Sequence, residues 1–361
     1  MKNLVKLMVM FFLSGLILLA CKKDADENSD SNLPDNNNNN NTEETVEYNK
    51  YLASGSYGDV IRYEIDEENN IYKYYNETTG QSDSGTYVVS NDANLQGVYE
   101  VSLGSDNFYA VELADKAFAT SLPSGRAENE LCFGLSADLD LSTSFSTSDI
   151  AGKYLFIIYD DLTSSEIWGG YELFSDGTYT WQLGPQDEAN FDENTHFAGG
   201  GSGTWGISSE DPSRLIFTED GIDYFGTVYP GKAMLIDNGT GNGFTLGIYY
   251  PDTHVSQSDV AGYYRYLDIT LDGDQGVGYY NIPSSGSELS YYYKYRSSSE
   301  GTGSCSDFTT VGTVNNMFKC TDIFDGDTFY NYFIILPGEV MLHFCAGDNG
   351  LVSYGIGAKI N

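Results

Sequence analysis

Between residues 153 and 250 the chain switches direction of hydrophobicity at short, regular intervals. Asp176-Gly177 is a pair that favours a two-residue hairpin turn. After it, Tyr179, Trp181 and Leu183 fall on one side and Thr178, Thr180 and Gln182 on the other. This is the period of a half-buried β-strand. Read this way, the stretch divides into eight strands, at 153–160, 167–174, 178–183, 203–208, 214–219, 222–229, 233–237 and 244–250. Glycine-bearing turns separate most of them, and no long segment has the spacing of an amphipathic helix, so the pattern predicts an all-β fold.

The pattern repeats at long period. Ser148-Asp149-Ile150-Ala151-Gly152-Lys153-Tyr154 recurs as Ser258-Asp259-Val260-Ala261-Gly262-Tyr263-Tyr264, and Pro230-Gly231 with Met234-Leu235 recurs as Pro337-Gly338 with Met341-Leu342. A weaker copy precedes them. Tyr63-Glu64 and Tyr72 answer to Tyr171-Glu172 and Tyr179, and Gly55-Ser56-Tyr57 is aligned with Gly152-Lys153-Tyr154. Gly85-Thr86-Tyr87, Gly203-Thr204-Trp205 and Gly312-Thr313-Val314 are set in line. The repeats are expected at 48–141, 142–255 and 256–361, each the size of an ordinary domain. Eight sequential antiparallel strands with short turns favour an up-and-down barrel, because closure removes the exposed sheet edges.

An eight-stranded barrel is at the size limit at which side chains fill the lumen or leave room for one small ligand. In the middle repeat Tyr154, Tyr179, Trp181 and Trp205 are expected to point inward, as core or as an aromatic-lined cup. Tyrosines also occur in runs, of which Tyr291-Tyr292-Tyr293 is the longest. Neighbours on a strand face opposite ways, so such runs put rings outside as well as inside, and Tyr292 joins the candidate ligand contacts. The longest loop, Gly184 to Gly203, carries Asp187, Glu188, Asp192, Glu193 and His196 without the spacing of a known cation loop, and reads as a solvated flap. With His196, His254 and His343 as its three histidines and no nucleotide, hydrolase or metalloprotease motif, the chain gives no catalytic residue, metal site or cofactor.

The first residues address the protein to a compartment. Lys2 and Lys6 precede an apolar run from Leu7 to Ala20, too short to span a bilayer comfortably and shaped like a secretory signal over 1–20. Leu18-Leu19-Ala20-Cys21 follows the pattern of a lipobox, and Lys22-Lys23-Asp24-Ala25-Asp26-Glu27 comes next. Residues 21–47 are rich in Asn, Asp, Glu and Ser and bury too little apolar surface to order, so they read as a disordered tether. Its mean reach is about 28 Å on flexible-chain scaling.

Composition narrows the partners. The chain has 17 basic and 53 acidic residues, a net charge of −36 that becomes −38 once Lys2 and Lys6 leave with the signal. Such a surface repels nucleic acid and anionic membranes, and suits a neutral or cationic partner. Beyond Cys21, four cysteines remain: Cys132, Cys305, Cys320 and Cys345. Reflecting Cys320 and Cys345 through their hairpin turns puts both beside one level of the intervening strand, about 9–10 Å apart and too far to bridge. That leaves Cys305–Cys320 as the preferred disulfide.

Two resemblances sharpen this reading. The lipobox and the acidic stretch after it resemble those of bacterial, Bacteroidota-type outer-membrane lipoproteins. This implies diacylglyceryl and palmitate chains on Cys21 and a place on the outer membrane facing the cell surface. Gly152-Lys153-Tyr154, "FSDGTYTW" at 174–181 and Gly203-Thr204-Trp205 resemble the bacterial lipocalin-like domains, which implies three tandem barrels of that kind. The third repeat departs, with Gly262-Tyr263-Tyr264 and no "DGTY". The expected function is a non-catalytic surface module that binds an extracellular glycan or a small hydrophobic ligand. The alternative is a structural or adhesive repeat protein presenting a surface to another protein.

Overall fold

A computed structural model describes residues 48–360, apart from 57, 105, 115–116, 122–130, 138–140, 160–166, 185–190, 198, 213, 238–243, 271–272, 298, 325 and 348–349. The signal, Cys21 and the tether lie outside the described residues. The chain from Val46 to Asn361 is one compact unit.

Three closed antiparallel barrels of eight strands follow one another. Barrel one runs from β1 (Asn49–Gly55) to β8 (Cys132–Ser136), barrel two from β9 (Gly152–Tyr159) to β16 (Phe244–Tyr249), and barrel three from β17 (Gly262–Thr270) to β24 (Gly350–Lys359). In each, the first strand pairs with the last, so no edge is left open. The strands of barrel two fall within two residues of the alternation read from sequence, and three coincide with it: β11 (Thr178–Leu183), β14 (Ile222–Tyr229) and β15 (Ala233–Asp237).

Four one-turn helices accompany the strands among the described residues: α1 (Leu141–Ser144), α2 (Thr147–Ile150), α3 (Glu193–His196) and α4 (Gln257–Val260). The recurring Ser-Asp-Ile/Val-Ala-Gly motif makes α2 and α4. Asp149 accepts hydrogen bonds from the main-chain N–H (2.7 Å) and hydroxyl (2.6 Å) of Ser146, and Asp259 does the same for Ser256. These bonds hold both carboxyls below the usual carboxylate range. Each helical turn lies at one end of its barrel. Thr147 reaches the carbonyl of Ser175 in the turn after β10 (Ile167–Leu173), and Gln257 reaches those of Pro283 and Gly286 after β18 (Gln275–Ile282). Ile150 and Val260 are fully buried there.

Strand register corrects two of the sequence alignments. In all three first hairpins a tyrosine faces a tyrosine: Tyr51 and Tyr63, Tyr154 and Tyr171, Tyr264 and Tyr280. This sets Asn49-Lys50-Tyr51-Leu52 against Gly152-Lys153-Tyr154-Leu155, whereas Gly55 ends β1 instead of opening it. The Gly-Thr-aromatic alignment also moves. Gly85 on β4 (Ser82–Val89) pairs with Tyr72 on β3 (Ile71–Asn76), and Gly203 on β12 (Gly201–Ile207) pairs with Tyr179. The third member is Gly303 on β20 (Glu300–Thr310), paired with Tyr291 on β19 (Leu289–Tyr295). Gly312 sits in the turn after β20. The physical requirement is shared: a Cβ at Gly85, Gly203 or Gly303 would lie within 3 Å of the facing tyrosine ring. The glycine lets the ring lie flat on the wall.

The outer walls pack on one another. One large apolar cluster takes Val98, Val111 and Phe133 from barrel one, Phe244 and Leu246 from barrel two, and Leu267 and Ile356 from barrel three. Phe244 and Tyr354 meet at 4.7 Å. Several cations bridge these seams. Arg62–Asp211 (3.2 Å) and Arg214–Glu77 (3.6 Å) link barrels one and two, Lys232–Glu339 links two and three, and Arg296–Asp106 (3.0 Å) links three and one. Part-exposed pairs of this kind are individually worth little, so the apolar seam supplies most of the cohesion.

Candidate functional site

The rings expected to line a cup in barrel two are brought together as a packed lumen. Tyr179 donates to Glu219 at 3.1 Å, and the indole of Trp181 donates to the same carboxylate at 3.1 Å. Tyr171 packs against both rings. Tyr154 donates to the carbonyl of Ile150 (2.8 Å) and Trp205 to that of Phe174 (3.0 Å). Each polar tip is therefore occupied within the protein, and burial raises the Tyr154 and Tyr179 phenols well above their ordinary value. Tyr292 is placed elsewhere. It lies on the outer wall of barrel three at 5% exposure, stacked on Tyr279, with its hydroxyl donating to Asp92 of barrel one at 3.2 Å.

The described end of the long loop is docked rather than loose. Phe191 stacks on Trp168, Phe197 packs on Tyr250, Lys153 pairs with Glu193, and Thr313 of barrel three donates to the Phe191 carbonyl. Asp187 and Glu188 lie outside the described residues.

Barrel three holds a buried polar cluster. His343 on β23 (Val340–Gly347) uses Nε2 to meet both the Tyr280 hydroxyl and the Asn331 side-chain oxygen at 3.0 Å. Because the amide oxygen only accepts, Nε2 carries the proton and Nδ1 is bare. No described group meets Nδ1, and burial pulls the imidazole down to about 3. Asp268 on β17 has one oxygen without a partner, and burial pushes its carboxyl up to about 7 against hydrogen bonds from Ser353 and Tyr295.

Asn331, on β22 (Asp327–Ile335), has Cys320 on one side and Cys345 on the other, as the hairpin reflection predicts to within one residue. Its amide donates to the Cys305 sulfur at 3.4 Å. Cys305 and Cys320, the pair expected to bridge, lie together as free thiols, and burial, with a hydrogen bond between them, raises the Cys320 thiol. A hydrogen-bonded thiol pair stands farther apart than the roughly 2 Å of a disulfide.

An open cavity that no sequence pattern signals lies in the lumen of barrel one. It measures about 450 Å³ and is walled by six rings: Tyr51, Tyr63, Tyr72, Tyr87, Tyr99 and Phe118. Phe118 meets Tyr51 and Tyr63 edge to face at 5.1 and 5.2 Å, and Tyr87 meets Tyr99 likewise at 5.8 Å. Phe118 lies back over Gly134, where a Cβ would sit 2.4 Å from the ring. Tyr74, Phe108 and Cys132 belong to the same lumen and are buried beneath. At the mouth stand Glu67 and Asn70 of the turn before β3, with Val89 at 55% exposure. Glu112 and Thr120 complete the polar lining.

This mouth is at the end that α2 and α4 occupy in the other two barrels. The residues that precede β1, through 47, lie outside the described residues. Burial and the nearby Glu67 push Tyr87 up to about 12, and burial with Glu112 raises Tyr99. The cup is thus apolar in its body and negative at its rim.

No protein-family model matches the chain, and no curated protein matches it. Among solved structures it is similar to a mutant of the vaccine antigen transferrin-binding protein B from Haemophilus parasuis. Identity is 7%, the TM-score 0.24, and the match covers 83% of this chain and 66% of that one. The chain thus spans just under two thirds of that protein's length. At this score the likeness carries no argument about what this chain binds. Fold and site together define a protein of three tandem closed barrels, with an open, ring-walled cavity among the described residues of the first.

Proposed function

We propose that this chain is a lipid-anchored outer-membrane protein of a Gram-negative, Bacteroidota-type cell. It is displayed at the surface and works as a non-catalytic binding module. Cys21 carries the acyl chains, residues 22–47 space the barrels from the bilayer, and barrel one takes up a glycan or a small hydrophobic ligand. The observation that carries this reading is the ring-walled cup of about 450 Å³, a size typical of small-molecule sites. In this reading Tyr154, Tyr179, Trp181, Trp205 and Tyr292 act as packing, and the ligand role first expected of them passes to barrel one.

The test is a glycan and lipid array probed with the full chain and with Val89→Trp. The substitution is at an exposed rim position, so the fold tolerates it while the indole blocks the mouth. Ligands retained by the full chain and lost by the variant support the reading; uniform silence refutes it. A second reading, a structural or adhesive protein, is favoured by the continuous apolar seam that joins the three outer walls. Uniform silence on the array, with retention of a protein partner, favours it.

A further inference from the structure

The cup's lining discriminates by charge as well as by shape. Its walls carry six aromatic rings and two carboxylates, Glu67 and Glu112, and no Lys or Arg is among its described lining residues. Glu67 accepts one hydrogen bond, from Asn49 at 2.8 Å. The Glu112 carboxylate makes no hydrogen bond or ion pair with a described residue. The nearest described guanidinium, that of Arg265, is outside the lining but close by: it is held by the main-chain carbonyl of Glu112 at 2.7 and 3.1 Å, lies against Gly97 of barrel one, and feels the charge of Glu112. Lys116 lies outside the described residues. Aromatic faces present negative charge to a cation, and the carboxylates add to it at the mouth. The same lining repels anions, as does a chain with net charge −36.

We propose that the ligand of barrel one is a small organic cation: an apolar or aromatic body bearing an alkylated ammonium group. The body fills the ring-walled cup, and the ammonium sits at the rim between the tyrosine faces and Glu112. The proposal rests on the reading of the cup as the binding site and narrows its small hydrophobic ligand to a charged class. An alkylated ammonium suits the site better than a primary amine. It is weakly hydrated and needs no hydrogen-bond acceptor for each proton, which six rings cannot supply.

The test compares phenyltrimethylammonium with tert-butylbenzene, which has the same shape and no charge. Binding to the full chain in detergent is followed by calorimetry at low and at physiological salt. The cation is expected to bind at least about tenfold more tightly. Glu112→Gln is expected to cut that preference to about threefold, and added salt to weaken the cation alone. Val89→Trp, with an unchanged melting curve, is expected to block both probes. Equal or tighter binding of tert-butylbenzene overturns the charge inference and leaves the cup as a binding site. Binding that survives Val89→Trp, or binding of neither probe, overturns the reading of the cup itself.

Discussion

Asp268 and His343 are expected to give the fold two opposed pH dependences that nearly conceal each other. Asp268 is neutral in the folded protein up to about 7, against an ordinary 3.8. The folded state therefore holds a proton that the unfolded chain releases, and stability falls as pH rises from about 4 to about 7. Three pH units at about 1.4 kcal/mol each come to roughly 4 kcal/mol. His343 runs the other way. Its folded value of about 3 is below the ordinary 6.5. The unfolded chain then binds the extra proton, and stability rises between about 3 and 6.5 by roughly 5 kcal/mol.

Between about 4 and 6.5 the two slopes cancel, so wild type shows little pH dependence from this barrel. Single variants separate them. Asp268→Asn is expected to gain stability relative to wild type by about 4 kcal/mol between pH 4 and pH 8, on top of any constant offset from the new amide. His343→Gln is expected to gain by a similar amount as pH falls from 7 to 3.5. Urea unfolding followed by far-ultraviolet circular dichroism at several pH values measures both. Working with differences between variant and wild type removes the contribution of the other carboxylates. A flat difference for Asp268→Asn from pH 4 to 8 would mean that the carboxylate is solvated in the folded state, and the packed polar lumen of barrel three would be wrong.

Other outcomes follow from the same geometry. Gly85→Ala and Gly203→Ala place a Cβ 2.0 and 2.2 Å from the carbonyls of Ser102 and Thr218; each should lose about 1–3 kcal/mol in a thermal melt. Gly206→Ala, with nothing within 4 Å, serves as the tolerated control. In the native protein a thiol reagent should modify Cys345 first, since Cys132, Cys305 and Cys320 are buried; all four should react after unfolding. A Cys305–Cys320 bridge would show instead as a loss of two hydrogens in the intact mass. Cys21→Ser should move the protein from the detergent phase to the aqueous phase on phase partitioning, and retention in the detergent phase would refute acylation at that residue.

The fold was legible because many strands state their own alternation and many turns carry a glycine. The eight segments of barrel two needed little beyond period two and Asp176-Gly177. The site was less legible, for a physical reason. Regular aromatic alternation, which drew attention to Tyr179 and Trp181, marks a lumen that its own rings fill. An open lumen depends on where rings are missing or lie flat, and that is settled by which residues face each other around the closed barrel. With Lys50-Tyr51-Leu52 set against Lys153-Tyr154-Leu155, Ala53 falls opposite Phe156, and the matching position in barrel three is Tyr266. A ring present in two lumens is absent from the first. That alignment was available in the sequence and was masked by the stronger-looking Gly55-Ser56-Tyr57. Gly134 beneath Phe118 carried no such signal, since its partner is on a different strand.

The seams also decide which outward tyrosines are buried. Tyr292 reads as solvent-facing when barrel three is considered alone, and it is buried because barrel one lies against it. Arg265, Arg62 and Arg296 are held by the same seams. Their contacts with Glu112, Asp211 and Asp106 cross between barrels and have no local signature.

The most direct test of the account is a crystal structure of the chain with phenyltrimethylammonium. Ligand density is expected inside barrel one among Tyr51, Tyr87 and Tyr99, with the ammonium toward Glu112. Density at another place on the molecule, or a barrel-one lumen closed by the protein's own chain, would contradict it.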